Sequence, residues 1–240
     1  MIMTSTPARA AFFDVDETLI TVKSMLSFLR FRLADHGPQP PFEQVVARLR
    51  QAGNGSREAA NRAYYQLFAG AEVAAVHEQG QAWFDAHQAT GRLFHPPVLD
   101  ALRRHQQAGL QIVLVSGSFS PCLEPIARWV AADHVLCSAP TSIAGRYTGA
   151  VAVSMIGTAK ATAVAGFLHS HRVADDRSWA YGDHSSDFDL LETVGNPVVV
   201  GEDAFLRARS REHWGRLPGI EPTTGATTGT ELVVTTGASQ

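Results

Sequence analysis

The run AAFFDV (10–15) is apolar and stops on acid, with Asp14 and Asp16 two residues apart. It reads as a strand buried on both faces whose carboxyl end carries charge. Three more runs share this character: LQIVLVS (110–116), SWAYGD (178–183) and PVVVG (197–201). A shorter strand is expected at 134–137. Helical stretches separate these strands. One is opened by Pro96 and Pro97, runs to Gln107 and is ended by Gly109. Others cover Pro121 to Val130, about Gly157 to His171, 186–193 and 203–211. A hairpin is expected over 143–154, with Gly145 and Gly149 at its bends. Strands alternating with helices predict an α/β fold, a Rossmann-like parallel sheet core with helices on both faces.

One block breaks the alternation. Val22, Met25, Leu26, Leu29 and Leu33 fall at helical spacing over 22–35, and HGPQPP (36–41) breaks that helix. Helices follow near 42–51, 56–69 and 71–89, divided by Asn54-Gly55-Ser56 and by Gly70, with Ser56 a candidate N-cap. Residues 21–92 therefore read as an all-helical cap domain inserted into a core made of 1–20 and 93–218. Met25, Phe28, Phe31, Tyr64, Trp83 and Phe84 are expected to pack that cap, some of them facing substrate. Residues 219–240, rich in Thr and Gly, are expected to be a flexible tail.

Composition narrows the function. Apolar residues make up 45% and charged residues 18%, with a net charge of −3 and no basic block. The footprint of a nucleic-acid binder is missing. No run approaches ~18 apolar residues, so no membrane span is expected. MIMTSTPARA lacks the apolar core of a signal peptide. Cys122 and Cys137 have no metal-site spacing and are read as reduced thiols. These features together predict a cytoplasmic protein.

In open parallel sheets, sites form at the carboxyl ends of the strands. The first strand ends on Asp14 and Asp16, the second on Ser116 and Gly117, the third on Asp183 with Asp187 beyond it, and Lys160 stands near the start of a helix. Converging carboxylates repel unless a cation lies between them, and an oxygen-only set suits Mg²⁺. Ser116, the amides near Gly117 and Lys160 can neutralise phosphate oxygens. Asp14 can attack phosphorus, and Asp16 can move the proton. In a continuing strand the two acids would point to one side. No Gly-x-Ser-x-Gly elbow supports a serine hydrolase. His169 and His171 are read as surface residues.

FFDVDETL resembles the first motif of the haloacid dehalogenase superfamily in its phosphatase form, Asp-x-Asp-x-Thr. LVSGS resembles the second motif, GTAKATAV around Lys160 the third, and YGDHSSDFDLL the fourth, so the resemblance spans nearly all of 10–216. It implies Asp14 as nucleophile and metal ligand. Asp16 is implied as acid/base, with its backbone carbonyl on the metal. Asp183 is the third protein ligand, Asp187 supports the metal site and Lys160, and Ser116, Gly117 and Lys160 hold phosphate. The second acid at Asp16 argues for a phosphatase over a dehalogenase. The cap position, VSGSFS and VGNPVVVGEDAFLRARSREHW resemble the phosphoserine-phosphatase-like branch.

Two positions depart from that pattern. Lys23 stands where those phosphatases carry a Glu that holds the substrate ammonium, so phosphoserine is a poor expected substrate. Lys23 and Ser24 are expected to touch the leaving group of another small phosphorylated metabolite, one with a second anionic or hydroxyl-rich group. His184 replaces a Ser and either hydrogen-bonds the site or, the favoured reading, fills space behind it. The expectation is a Mg²⁺-dependent phosphomonoester phosphatase. A phosphotransferase or mutase, or a catalytically silent binding module, stays open on the same fold.

Overall fold

The computed structural model describes residues 8–35 and 40–220. Most of the expected helix break at 36–41, and residues 221–240 of the expected tail, lie outside the described residues. The elements run β1 (Ala10–Asp14), α1 (Ser24–Asp35), α2 (Phe42–Gly53), α3 (Arg57–Gln66), α4 (Val73–Gln88) and α5 (Pro96–Gln107). They continue with β2 (Gln111–Ser116), α6 (Ser120–Val130), β3 (His134–Cys137), β4 (Ala139–Ile143), β5 (Arg146–Val153) and α7 (Thr158–His171). The chain closes with β6 (Trp179–Gly182), a 3-10 turn (Ser185–Asp187), α8 (Phe188–Leu191), β7 (Asn196–Val200), α9 (Ala204–Arg209) and β8 (Gly215–Leu217).

Six strands form one parallel sheet in the order β3-β2-β1-β6-β7-β8. The chain leaves β1 for β2 on one side and later returns to β6 on the other. The crevice at the carboxyl ends of β1 and β6 is therefore the switch point where α/β sheets bind ligands. The edge strand β8 has no sequence signal, because three residues carry no periodicity. The hairpin starts earlier than expected, at Ala139, and Gly149 lies inside β5, at φ 86° where the pairing register of the two strands shifts. Its bend is Ala144-Gly145, both at positive φ, which suits a two-residue hairpin turn.

Side chains alternate across the sheet as a pleat requires. Ala10, Phe12, Val113, Val115, Ala180 and Val199 face one side, under Val164, Phe167 and Leu168 of α7, Leu190 of α8 and Leu206 of α9. Ala11, Phe13, Ile112, Leu114 and Tyr181 face the other, under Val98 and Leu102 of α5 and Leu123 and Ile126 of α6. That second apolar cluster runs without a break into the helical segment, through Phe28, Tyr64, Phe68, Trp83 and Phe84. α1 to α4 thus share their core with the sheet.

Phe119, fully buried just after β2, links the two. Its ring lies 5.2 Å from Phe68, 5.4 Å from Tyr65, and 6.1 Å from both Phe28 and Tyr64, centroid to centroid. α4 packs so close to the start of α6 that a Cβ on Gly80 would sit 2.0 Å from the Pro121 carbonyl oxygen. At the crossing points the Thr21 N–H donates to Leu93 O (2.8 Å) and the His95 N–H to Leu19 O (3.0 Å). At the far end the Gly70 N–H donates to Tyr147 O (2.8 Å) and the Tyr147 N–H to Ala71 O (2.9 Å), joining the segment to the hairpin.

Candidate active site

β1 ends on Asp14, which is buried, and the chain then turns sharply. The N–H groups of Leu19 and Ile20 both donate to Val15 O at 3.0 Å, and Glu17 takes φ 63° to close the loop. A left-handed conformation at a non-glycine residue is a strain held by its surroundings. The expectation that Asp16 follows Asp14 by strand alternation is therefore corrected. The strand does not continue, and the turn sets the direction of Asp16. Its Oδ1 is buried with no hydrogen-bond partner. The Ser24 hydroxyl and N–H, at the start of α1, lie against the Asp16 carboxylate.

Asp183 follows directly on β6, and the Thr18 hydroxyl donates to its Oδ1 at 2.7 Å. Asp187 is brought alongside by the 3-10 turn. His184 Nδ1 accepts from the Ser186 N–H (3.0 Å), and Asp187 Oδ2 accepts from the His184 N–H (3.3 Å), a reciprocal cap. A side chain on Gly182 would put its Cβ 2.7 Å from the Asp187 Cβ, so the turn closes only over glycine. The buried Lys160 of α7 donates to Asp14 Oδ1 and, at 2.7 Å, to Asp187 Oδ1.

Carboxylate oxygens of Asp14, Asp183 and Asp187 lie within 4.8 Å of one another. Burial pushes the Asp14 carboxyl up to about 7; Lys160 opposes this and Asp187 adds to it. Asp183 is pushed well up by burial, then by Asp14 and Asp187. Asp16 is raised by burial to about 6, with Ser24 pulling the other way. Burial alone would lower Lys160, but Asp14 and Asp187 outweigh it and keep the ammonium charged. With all three carboxylates ionised, one ammonium would leave two negative charges uncompensated. An all-oxygen set with surplus negative charge fits a hard divalent cation such as Mg²⁺. Asp187, expected as a supporting group, lies within the cluster itself.

β2 ends on Ser116 and the loop after it holds Ser118, both buried. The Ser118 N–H donates to Ser116 Oγ at 3.1 Å, which leaves the Ser116 hydroxyl hydrogen free to donate elsewhere. A Cβ on Gly117 would stand 3.1 Å from Ile156 Cγ1, so the segment leading to Lys160 packs directly on this loop. Ser24 is fully buried and its hydroxyl donates to Ser118 Oγ at 2.8 Å. The Lys23 ammonium is at the rim, 3.2 Å from Glu17 Oε2. His184 Nδ1 also accepts from Arg57 Nη1 at 2.7 Å; burial first, then Arg57, lowers the affinity of that ring for a proton. His169 and His171 are exposed, as expected, and both cysteines are free thiols.

Four residues near the site carry roles that the sequence reading did not assign. Thr18 holds Asp183. Asn61, Tyr65 and Ser138 converge on the Gly117 carbonyl oxygen, at 2.9, 3.0 and 2.8 Å. One signal was available: Asn61 is a polar residue on the same helical face as Tyr64 and Tyr65, all three buried.

A family model described as haloacid dehalogenase-like hydrolase matches residues 11–192. A protein of Mycobacterium tuberculosis described as a probable phosphatase is 29% identical over 204 residues, covering 82% of this chain and 70% of that protein. The phosphoserine phosphatase SerB1 of the same organism is 29% identical over 215 residues, covering 85% and 68%. Among solved structures, a Bordetella pertussis protein of unknown function superposes with a TM-score of 0.76 at 24% identity, over 88% of this chain and 99% of that one. The matched span runs from β1 into the residue after α8 and contains every strand end that carries a site residue, and the chain belongs to the haloacid dehalogenase-like hydrolases.

Proposed function

We propose that this hydrolase is a Mg²⁺-dependent phosphatase acting on a small phosphomonoester, with Asp14 as nucleophile. The observation that carries the reading is the convergence of Asp14, Asp183, Asp187 and Lys160 in one buried cluster, with a second acid, Asp16, two residues from the nucleophile and one of its oxygens, Oδ1, without a partner. The M. tuberculosis relative described as a probable phosphatase supports it. Asp14, Asp183 and the Asp16 carbonyl would hold the cation, with Asp187 beside them. When bound, it supplies positive charge to the phosphate oxygens.

The Asp14 carboxylate attacks phosphorus, the bond from phosphorus to the leaving oxygen breaks, and an aspartyl phosphate forms. Asp16 gives its proton to the leaving oxygen, then takes one from the water that attacks the aspartyl phosphate, which releases phosphate and restores Asp14. Burial raises Asp16 toward neutrality, the direction this role needs. Lys160, the Ser116 hydroxyl and the Gly117 amide neutralise the phosphoryl oxygens.

For the leaving group, Lys23 is the residue that separates this chain from a phosphoserine enzyme, because a cation at the rim repels a substrate ammonium. Ser24 serves from behind, through Asp16 and Ser118. The substrate class is a small phosphorylated metabolite with an anionic or hydroxyl-rich leaving group. A cytoplasmic location is part of the same proposal. Among the described residues no helix is long and apolar enough to cross a membrane. The test is hydrolysis of p-nitrophenyl phosphate with Mg²⁺ by the wild type and by Asp14→Asn. Turnover by the first and none by the second is expected. An inert wild type, or an active Asp14→Asn, overturns the proposal.

A further inference from the structure

The peptide unit between Gly117 and Ser118 is held at both ends. Its carbonyl accepts three donors, the Asn61 amide (2.9 Å), the Tyr65 hydroxyl (3.0 Å) and the Ser138 hydroxyl (2.8 Å). Its N–H donates to Ser116 Oγ (3.1 Å). A carbonyl oxygen has two lone pairs, so three donors are more than its ordinary complement. In a planar trans peptide the C=O and N–H point in opposite directions. Fixing the carbonyl therefore fixes where the N–H points. That N–H occupies one acceptor site of the Ser116 hydroxyl and limits where its hydrogen can go.

Two of the three donors come from α3, outside the sheet. They are not lone contacts. The Asn61 Oδ1 accepts from the Ser154 hydroxyl at 2.8 Å, and Ser138 Oγ accepts from the Met155 N–H at 3.0 Å. The same network thus reaches the segment that leads into α7 and Lys160. Asn61 and Tyr65 are buried, and the burial of Tyr65 keeps its phenol protonated and a donor. Their hydrogen bonds and ring contacts run to Gly117, Ser154 and neighbouring aromatic rings.

We propose that Asn61 and Tyr65 are positioning residues: through the single Gly117–Ser118 peptide they aim the Ser116 hydroxyl at the transferred phosphoryl group. The role rests on the phosphatase reading above. It makes helix α3 part of the phosphate-binding loop, so the loop is complete only with α3 docked against it.

The test is a double-mutant cycle on inorganic phosphate binding with Mg²⁺ present, measured by calorimetry, which needs no turnover. Tyr65→Phe removes one hydroxyl and keeps the ring; Asn61→Leu removes the amide at similar volume. Each should weaken phosphate binding and lower kcat/KM about tenfold in the wild-type background. Neither should add to the loss when Ser116→Ala is already present. A residue that merely stabilises the fold would lower Tm and weaken binding equally in both backgrounds. Additive losses, or unchanged phosphate binding in Tyr65→Phe, overturn the proposal. Should Asn61→Leu fail to fold, Tyr65→Phe carries the cycle alone. Wild-type protein that binds phosphate but hydrolyses no phosphomonoester would sink the phosphatase reading and leave the coupling to be read from binding.

Discussion

The floor of the site and the side facing it are made of different chemistry. The floor comes from the ends of β1 and β6, the turn behind β6 and the start of α7. It holds Asp14, Asp183, Asp187 and Lys160, all ionisable and packed together. The facing side comes from α1 and α3, and its buried polar groups, Ser24, Asn61 and Tyr65, are neutral. On the floor, removing one charge leaves its buried neighbours uncompensated. On the facing side, removing one donor leaves others on the same acceptor. The floor is suited to chemistry and the facing side to aim.

Asp16 lies where the two meet, and its loss should have the largest effect. Asp16→Asn should lower kcat about 10²–10⁴-fold, with the smaller loss for p-nitrophenyl phosphate, whose leaving group needs little protonation. Equal losses for aryl and alkyl phosphates would remove Asp16 from the proton step. The variant should fold at least as well as the wild type, because a carboxylate that burial disfavours becomes a neutral amide.

Lys160→Met tests the floor directly. Breaking a buried ion pair from one side costs about 3–5 kcal/mol, read by chemical denaturation in chelator. Tyr65→Phe, on the facing side, should cost about 1 kcal/mol. If the two losses are alike, the contrast between the charged floor and the neutral side fails. Gly80→Val asks how firmly the helical segment is seated. Its Cβ would overlap the Pro121 carbonyl, and overpacking of this kind costs about 1–3 kcal/mol. A loss of Tm with unchanged phosphate affinity would separate seating from aim.

The floor should also show in the pH dependence of stability. Asp14 is raised from 3.8 to about 7 when folded, so the folded chain without metal binds more protons than the unfolded chain between those values. The stability this group contributes is full below about pH 4 and lost as pH rises through about 7. Melting in chelator should therefore show falling Tm over that window, and Mg²⁺ should raise Tm more at pH 8 than at pH 5. A Mg²⁺ shift that shrinks with pH would contradict a carboxylate-bound cation. The smallest effect is expected at the rim. Lys23→Glu should change kcat/KM by about tenfold or less across a phosphometabolite panel, since exposed charges are screened. Ammonium-bearing substrates should gain over anionic ones, and an unchanged ranking would take Lys23 out of the leaving-group site.

Much of the floor is legible in the sequence, because its residues stand at the ends of apolar runs. A strand buried on both faces must stop where polar groups begin, so Asp14, Ser116 and Asp183 are marked by the very feature that makes the strands visible. The alternation also implied the parallel sheet. Less legible was whatever lacks periodicity. β8 is three residues long, and the Asp16 turn hides inside what looks like a continuing strand. Asn61 and Tyr65 sat in a helix whose pattern said only which face was buried.

The sequence by itself determined which residues carry charge at the strand ends and the order in which they arrive. Local hydrophobic patterning and charge are properties of short windows, and short windows are what a sequence displays. Only the tertiary structure decided that α1 to α4 share one core with the sheet. It also brought Asn61, Tyr65 and Ser138 to a single carbonyl, and Thr18 to Asp183. Those contacts join residues 21 to 165 positions apart along the chain. Hydrogen bonds between such distant groups depend on how whole elements pack, and no local pattern records that.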